Sequence, residues 1–207
     1  SLEGPDPVAA AEMARYAFEY GYTRTAVVYS PISESVQEAD AFVEMSQSLV
    51  LPIIWRYAYQ VGATFFGEEI IEAQNTLRAA EIAALNLEED DTLHVEMLEP
   101  VALFLPIPPE DVEFIAPQIV HYGLDTLAID ILGTSGWTDP RVLETVDLRH
   151  TTGVFATSFE GRTEDKNTSI QFREAYESHF QRSLMSGVPA LGYDTALLLI
   201  EGLKGGA

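Results

Sequence analysis

The stretch Leu127-Ala-Ile-Asp-Ile-Leu-Gly-Thr-Ser-Gly-Trp-Thr-Asp-Pro140, LAIDILGTSGWTDP, decides how the whole chain is read. Its first six residues form an apolar run of the kind that fills a strand buried on both faces. A Gly-Thr-Ser-Gly-Trp loop follows at once. Asp139-Pro140 then reads as a helix N-cap and first helical residue, because proline lacks only an N–H that would be unpaired there anyway. Strand, glycine-rich loop and helix in that order make up the repeating unit of a parallel α/β sheet. Ser135 sits in the loop as a nucleophile, as part of a phosphate cradle, or as a residue that touches a ligand without reacting.

The same alternation runs outward in both directions. Asp6-Pro7 caps a helix that extends to Tyr20 and is stopped by Gly21. Thr25–Tyr29 is a β-rich run. Ser35-Val-Gln-Glu38 has the pattern of a capping box, with a helix to Ser48. Pro52–Tyr59 reads as the second strand and Phe66–Leu87 as a long helix, with Ile70, Ala73, Leu77, Ala80 and Ala84 on one face. Val101–Leu105 is the third strand. Pro106, Pro108 and Pro109 end it and open a helix that closes near Gly123. Leu127–Leu132 is the fourth strand and Gly153–Ser158 the fifth. Helices over Asn167–Gln181 and Pro189–Leu203 complete the chain. Five strands separated by helices predict an α/β fold: a doubly wound, parallel, five-stranded sheet with helices on both faces.

Composition narrows the partners. The chain has 207 residues, 47% of them hydrophobic, which suits one substantial core. Eleven Lys and Arg stand against 33 Asp and Glu, giving a formal net charge of −22. A field of that sign repels phosphate backbones, so nucleic acid is excluded as a partner. With no cysteine there is neither a disulfide nor a thiolate metal site. No apolar stretch reaches the roughly 20 residues that span a bilayer. No signal peptide is visible, although a chain opening on Ser1 rather than Met points to a longer precursor. The acidic Glu88–Leu98 segment is expected to be an exposed, solvated loop, since it lacks the alternating oxygen ligands and turn glycine of a calcium loop.

No catalytic constellation assembles. A nucleophile elbow needs G-x-S-x-G with the helix directly after it, whereas Gly136 follows Ser135 immediately and Trp137-Thr138 delays the helix. His94, His121, His150 and His179 are scattered and read as surface or helix-end residues rather than metal ligands. Neither a G-x-x-x-x-G-K-[ST] nor a G-x-G-x-x-G pattern follows the first strand. Glu68-Glu69 and Glu110-Asp111 fall in first helical turns, where the dipole favours acids. The chain is therefore expected to be no enzyme and to hold no cofactor and no metal. In an open parallel sheet, ligands bind outside the carboxyl ends of the strands. The candidate ligand contacts there are Ser33, Glu34, Ser35, Ile107, Pro108, Ser135, Gly136, Trp137 and Ser158. Trp137 suits either a stacking wall for a ligand or a plug at an interface. Glu34 either meets a ligand cation or supports a helix start.

Several segments, in order along the chain, carry a resemblance. Thr25-Ala-Val-Val-Tyr-Ser30 and Tyr59-Gln-Val-Gly-Ala-Thr-Phe-Phe66 are followed by Val101-Ala-Leu-Phe-Leu-Pro106. Leu132-Gly-Thr-Ser-Gly-Trp-Thr-Asp-Pro140 comes next, then Gly153-Val-Phe, Phe172-Arg-Glu-Ala-Tyr176 and Gly192-Tyr-Asp-Thr-Ala196. Together they resemble the type I periplasmic binding protein-like family, in particular its Leu/Ile/Val receptors, the substrate-binding proteins of ABC transporters. The resemblance implies two α/β lobes with a small molecule held between them, delivered to an ABC permease or another membrane-associated protein. Residues 1–165 would be the second lobe and 166–207 helices returning to an incomplete first lobe. It also implies a place in the periplasm or outside the cell, free or as a lipoprotein. The missing part of lobe one would leave Tyr193, Leu197, Leu198 and Ile200 uncovered, inviting a homodimer through those helices.

The resemblance is incomplete at the ligand contacts. Where amino-acid receptors of the family offer an aromatic after the first strand, a tyrosine after the third and an acid after the fourth, this sequence has Glu34, Ile107 and Ser135. The Asp of the family's Y-x-x-G-x-x-D-F stretch is Phe65. The ligand class thus stays open. So does a second reading, a regulatory or structural lipoprotein-like domain that binds a protein partner, as activators of peptidoglycan synthases do.

Overall fold

The computed structural model describes residues 5–87, 96–158 and 166–181, together with isolated positions 184, 189, 192, 193, 196 and 199. The chain divides into two compact units, the larger of which is Pro5–Ser158. In it, α1 (Pro7–Tyr20), β1 (Arg24–Tyr29), α2 (Ser33–Ser48), β2 (Ile53–Ala58) and α3 (Gly67–Leu85) are followed by β3 (Val101–Leu105), α4 (Pro109–His121) and β4 (Ile129–Gly133). Then come α5 (Pro140–Thr145), α6 (Leu148–Thr151) and β5 (Phe155–Ala156). Short 3₁₀ turns over Leu124–Leu127 and Ser135–Thr138 flank β4. The described helix of the smaller unit is α7, Lys166–Phe180.

All strand pairs are parallel and the spatial order is β2-β1-β3-β4-β5. The expected doubly wound sheet is therefore the observed one. Alternation along the strands feeds two cores, as a period of two requires. Ala26 and Val28 of β1 and Val101, Leu103 and Leu105 of β3 pack with α3 and α4. Val27, Ala102 and Phe104 point the other way, to α1 and α2, where Phe42 stacks on Phe104 at a centroid distance of 4.0 Å. The chain crosses from one face to the other between β1 and β3, which puts the topological switch point there.

Helix ends follow the local sequence where polar caps are free to act. The Asp6 carboxylate accepts the Ala9 N–H at 2.8 Å, and Gly21 closes α1 at φ 93°, a left-handed value that favours glycine. Asp139 accepts the Arg141 N–H at 2.8 Å and caps α5. Four expectations are corrected. The Ser35–Glu38 capping box does not form: α2 starts three residues earlier with Ile32 as N-cap, and Glu38 reaches across to another element instead. On α3, Ala84 is exposed and Glu81 is buried in its place. Arg24 reaches Glu81 at 3.6 Å and Glu99 at 2.6 Å, an attraction no apolar pattern reports. The fifth strand shrinks to Phe155–Ala156, preceded by the unforeseen α6. Residues 88–95 of the acidic segment lie outside the described residues, and Met97 is buried rather than exposed. Beside it, the Leu98 and Glu99 amides both donate to Glu81, at 2.9 and 3.0 Å.

Candidate ligand-binding rim

The carboxyl ends of the strands form a rim built from three loops. After β1, Ser30 is buried and the chain turns through Pro31 into α2. Ser33 and Glu34 occupy the exposed first turn of α2, where the helix dipole favours the acid. Ser35 is buried beneath them. After β3, Ile107 is 2% exposed and Pro108 forms the N-cap of α4. After β4, Gly133 and Thr134 lead into the 3₁₀ turn Ser135–Thr138.

The β4 loop rests directly on the β3 loop. The Trp137 indole N–H donates to the Leu105 carbonyl at 3.0 Å, and its ring is 3% exposed within the core shared with α3 and α4. A Cβ at Gly136 would overlap the Ile107 carbonyl oxygen, and one at Gly133 would overlap the Trp137 ring. Only glycines let the two loops meet this closely. Of the candidate ligand contacts, Ile107, Gly136, Trp137 and Ser35 are buried. The Trp137 ring packs in this unit's own core. Ser33, Glu34 and Ser158 are exposed, and Pro108 and Ser135 are partly so.

Two partly buried polar groups lie under the rim, and sequence reading missed both. At the switch point the Tyr59 hydroxyl donates to Asp111 at 2.5 Å and also meets Ser30. Burial, then the Asp111 carboxylate, pushes the Tyr59 phenol well above its ordinary range. Burial also raises the Asp111 carboxyl; the Tyr59 hydrogen bond opposes this and neighbouring Glu110 adds to it. On the other face of the sheet Glu38, 6% exposed, accepts the Asp6 N–H at 3.2 Å and a hydrogen bond from the Thr134 side chain. Its carboxyl stays above the ordinary carboxylate range: burial raises it, these two donors oppose that in part, and the nearby Asp6 and Glu34 charges add to the rise. Tyr59 at a strand end and Asp111 in a first helical turn were visible as separate cues. Only the β1/β3 crossover joins them.

Elsewhere, Gln118 fastens the β2–α3 loop by accepting the Phe66 N–H at 2.8 Å and donating to the Thr64 carbonyl at 3.0 Å. Phe65 remains 61% exposed in that loop. A cavity of about 290 Å³ between α1 and β5 is lined by Glu12, Met13, Tyr16, Phe155, Ala156 and Thr157. His121 and His179 stand in the last turns of α4 and α7, and His150 lies in α6; His94 is outside the described residues. Among the described residues no group of three His, Asp or Glu could hold a metal, and no helix is long and apolar enough to cross a membrane.

In fold, the parallel 2-1-3-4-5 sheet matches one lobe of type I periplasmic binding proteins. Solved structures of that fold match the chain at low identity. A leucine-binding protein LivK from Thermotoga maritima superposes with a TM-score of 0.72 at 18% identity, over 96% of this chain and 50% of the other. A solute-binding protein of an ABC transporter from Rhodopseudomonas palustris, in complex with 3,4-dihydroxybenzoic acid, gives 0.65 at 17% identity, over 96% and 48%. A substrate-binding protein from Desulfitobacterium hafniense, in complex with Leu, gives 0.63 at 17% identity, over 96% and 49%. The chain thus spans about half the length of these structures. No protein-family model matches the sequence, and no curated protein is significantly similar to it.

Proposed function

We propose that residues 1–165 are the second lobe of an extracytoplasmic solute-binding protein and that residues 166–207 return to its first lobe. The protein captures a small molecule by closing one lobe on the other. It hands that molecule to an ABC permease without chemical change, and works in the periplasm or outside the cell, free or lipid-anchored. The observation that supports this reading best is the rim at the β1/β3 switch point, where ligands of open parallel sheets bind. Solved structures of the same fold hold leucine or a dihydroxybenzoate. Ser33, Glu34, Pro108, Ser135 and Ser158 are the residues that would touch the solute. Ser35, Ile107, Gly136 and Trp137 would hold them from behind.

Native mass spectrometry of the purified chain, with calorimetric titration of leucine and 3,4-dihydroxybenzoate, tests the reading. A discrete small-molecule adduct or a binding isotherm, lost when Ser135→Phe fills the rim, is the expected result. A bare chain that gives no heat with either compound counts against it.

A second reading, binding of a protein partner, draws support from Val61 and Phe65. They are 76% and 61% exposed in the β2–α3 loop, a larger apolar display than a small solute needs. On that reading, serine at both positions abolishes partner capture and leaves any solute adduct intact.

A further inference from the structure

Both ends of the Pro5–Ser158 unit, the points where the chain enters and leaves it, are hydrogen-bonded to the rim. At the first end, the Asp6 N–H donates to Glu38 at 3.2 Å. Glu38 also accepts from the Thr134 side chain, the residue before the 3₁₀ turn that carries Ser135. At the second end, the Thr138 hydroxyl at the close of that turn donates to the Thr157 carbonyl at 3.1 Å and to the Ser135 carbonyl at 3.2 Å. The Thr157 N–H returns to the Gly133 carbonyl at 3.3 Å. Glu38 and Thr134 are 6% and 2% exposed, so the bond between them is shielded from water. Among the described residues no ion pair reaches Glu38, whose carboxylate is held by donors alone.

A buried acid without a cation is costly to keep, and an apolar residue would fill the same space more cheaply. Local helix capping does not account for it, since α2 begins with Ile32 as N-cap. What Glu38 does is join three segments far apart in sequence: the start of α1, the second turn of α2 and the β4 loop.

We propose that Glu38 is a positioning residue: it ties the Thr134–Thr138 loop to the start of its unit at Asp6, while Thr138 and Gly133 tie the same loop to the end of the unit at Thr157, so that a displacement of Ser135 is felt where the chain leaves the unit. Its use rests on the solute-binding reading, since a ligand pressing on Ser135 is what would move the loop. Its existence does not, and the test needs no ligand.

Amide hydrogen exchange on the whole chain reads the coupling, at Asp6 for one end and Thr157 for the other. Thr134→Val removes one donor to Glu38 and alters neither end directly. It is expected to speed exchange at both Asp6 and Thr157 about tenfold, the effect of one lost buried hydrogen bond to a charged group. Amides of Ala26 and Leu103 in the sheet centre stay unchanged. Glu38→Gln, which keeps an acceptor, leaves both ends within about threefold of the parent, whereas Glu38→Ala releases both. If Thr134→Val leaves either end at the parental rate, or if Glu38→Gln behaves as Glu38→Ala does, the coupling is overturned. Should Glu38→Ala unfold the sheet, Thr134→Val and Glu38→Gln still decide.

Discussion

Gly136 touches the backbone of another strand's loop, and a methyl group there has nowhere to go. The Ile107 carbonyl oxygen in its path is main chain and cannot swing aside. Gly67 offers the contrast, because a Cβ there meets the Tyr122 and Phe65 rings, which can rotate. Gly136→Ala is therefore expected to cost about 1–3 kcal/mol in urea unfolding, with a red shift of Trp137 emission as the indole loosens. Gly67→Ala is expected to cost less. Tyr59 and Asp111 carry a pH signature. Burial holds the Asp111 carboxyl above its unfolded value, so this group costs stability as pH rises through its titration, and the Tyr59 hydrogen bond limits that cost. Tyr59→Phe removes the limit. Its destabilisation relative to the parent is expected to be small below the unfolded carboxyl value and to grow as pH rises. It becomes complete above the raised folded value, at roughly 1–3 kcal/mol. Urea unfolding of both proteins across that range measures it; a pH-independent difference would remove Asp111 from the account.

Among the elements, the strands were the most legible because each is a short apolar run between helix stops, and those runs fall on β1 through β4 within a residue or two at most ends. β5 was the exception. Only Phe155 and Ala156 pair, since β5 lies at the sheet edge and has one neighbour to extend along. Helix faces were less legible where a charge is buried. The apolar period of α3 extends to Ala84, yet Glu81 turns inward because Arg24, 57 positions earlier in sequence, and the Leu98 and Glu99 amides compensate it. Nothing local in sequence marks such a pairing. The rim was legible as a set of loops and not as a set of side chains. Burial of Ile107 and Trp137 depends on how two loops stack, which only the sheet order decides. The Arg24 cluster also makes a prediction at this scale. Arg24→Met strands two carboxylates, Glu81 almost fully buried and Glu99 about one-third exposed. It is expected to destabilise the chain by about 3–5 kcal/mol, as removing one partner of a buried pair does. The double variant Arg24→Met/Glu81→Gln should recover part of that loss in the same denaturation experiment.

At the scale of the whole molecule, charge and apolar exposure act in opposite directions. A net charge of −22 makes two copies repel one another. Against this, the smaller unit displays Tyr193 at 52% and Leu199 at 65% exposure, beside the contact of Tyr193 with Phe172 at 5.3 Å between ring centroids. Leu197, Leu198 and Ile200, which the sequence also assigns to this surface, lie outside the described residues. Apolar burial is insensitive to moderate salt, whereas repulsion between exposed charges is screened over a Debye length of about 8 Å at physiological ionic strength and about 3 Å at 1 M. Self-association through this surface is therefore expected to strengthen as salt is raised. Sedimentation velocity should show a monomer at low salt and a growing dimer fraction between 0.05 and 1 M sodium chloride. Tyr193→Glu/Leu199→Glu, which adds charge and removes apolar area at once, should hold the chain monomeric throughout. A dimer that persists in the double variant would move the contact to another face. A dimer that dissociates as salt rises would mean that ion pairs, rather than apolar area, hold the copies together.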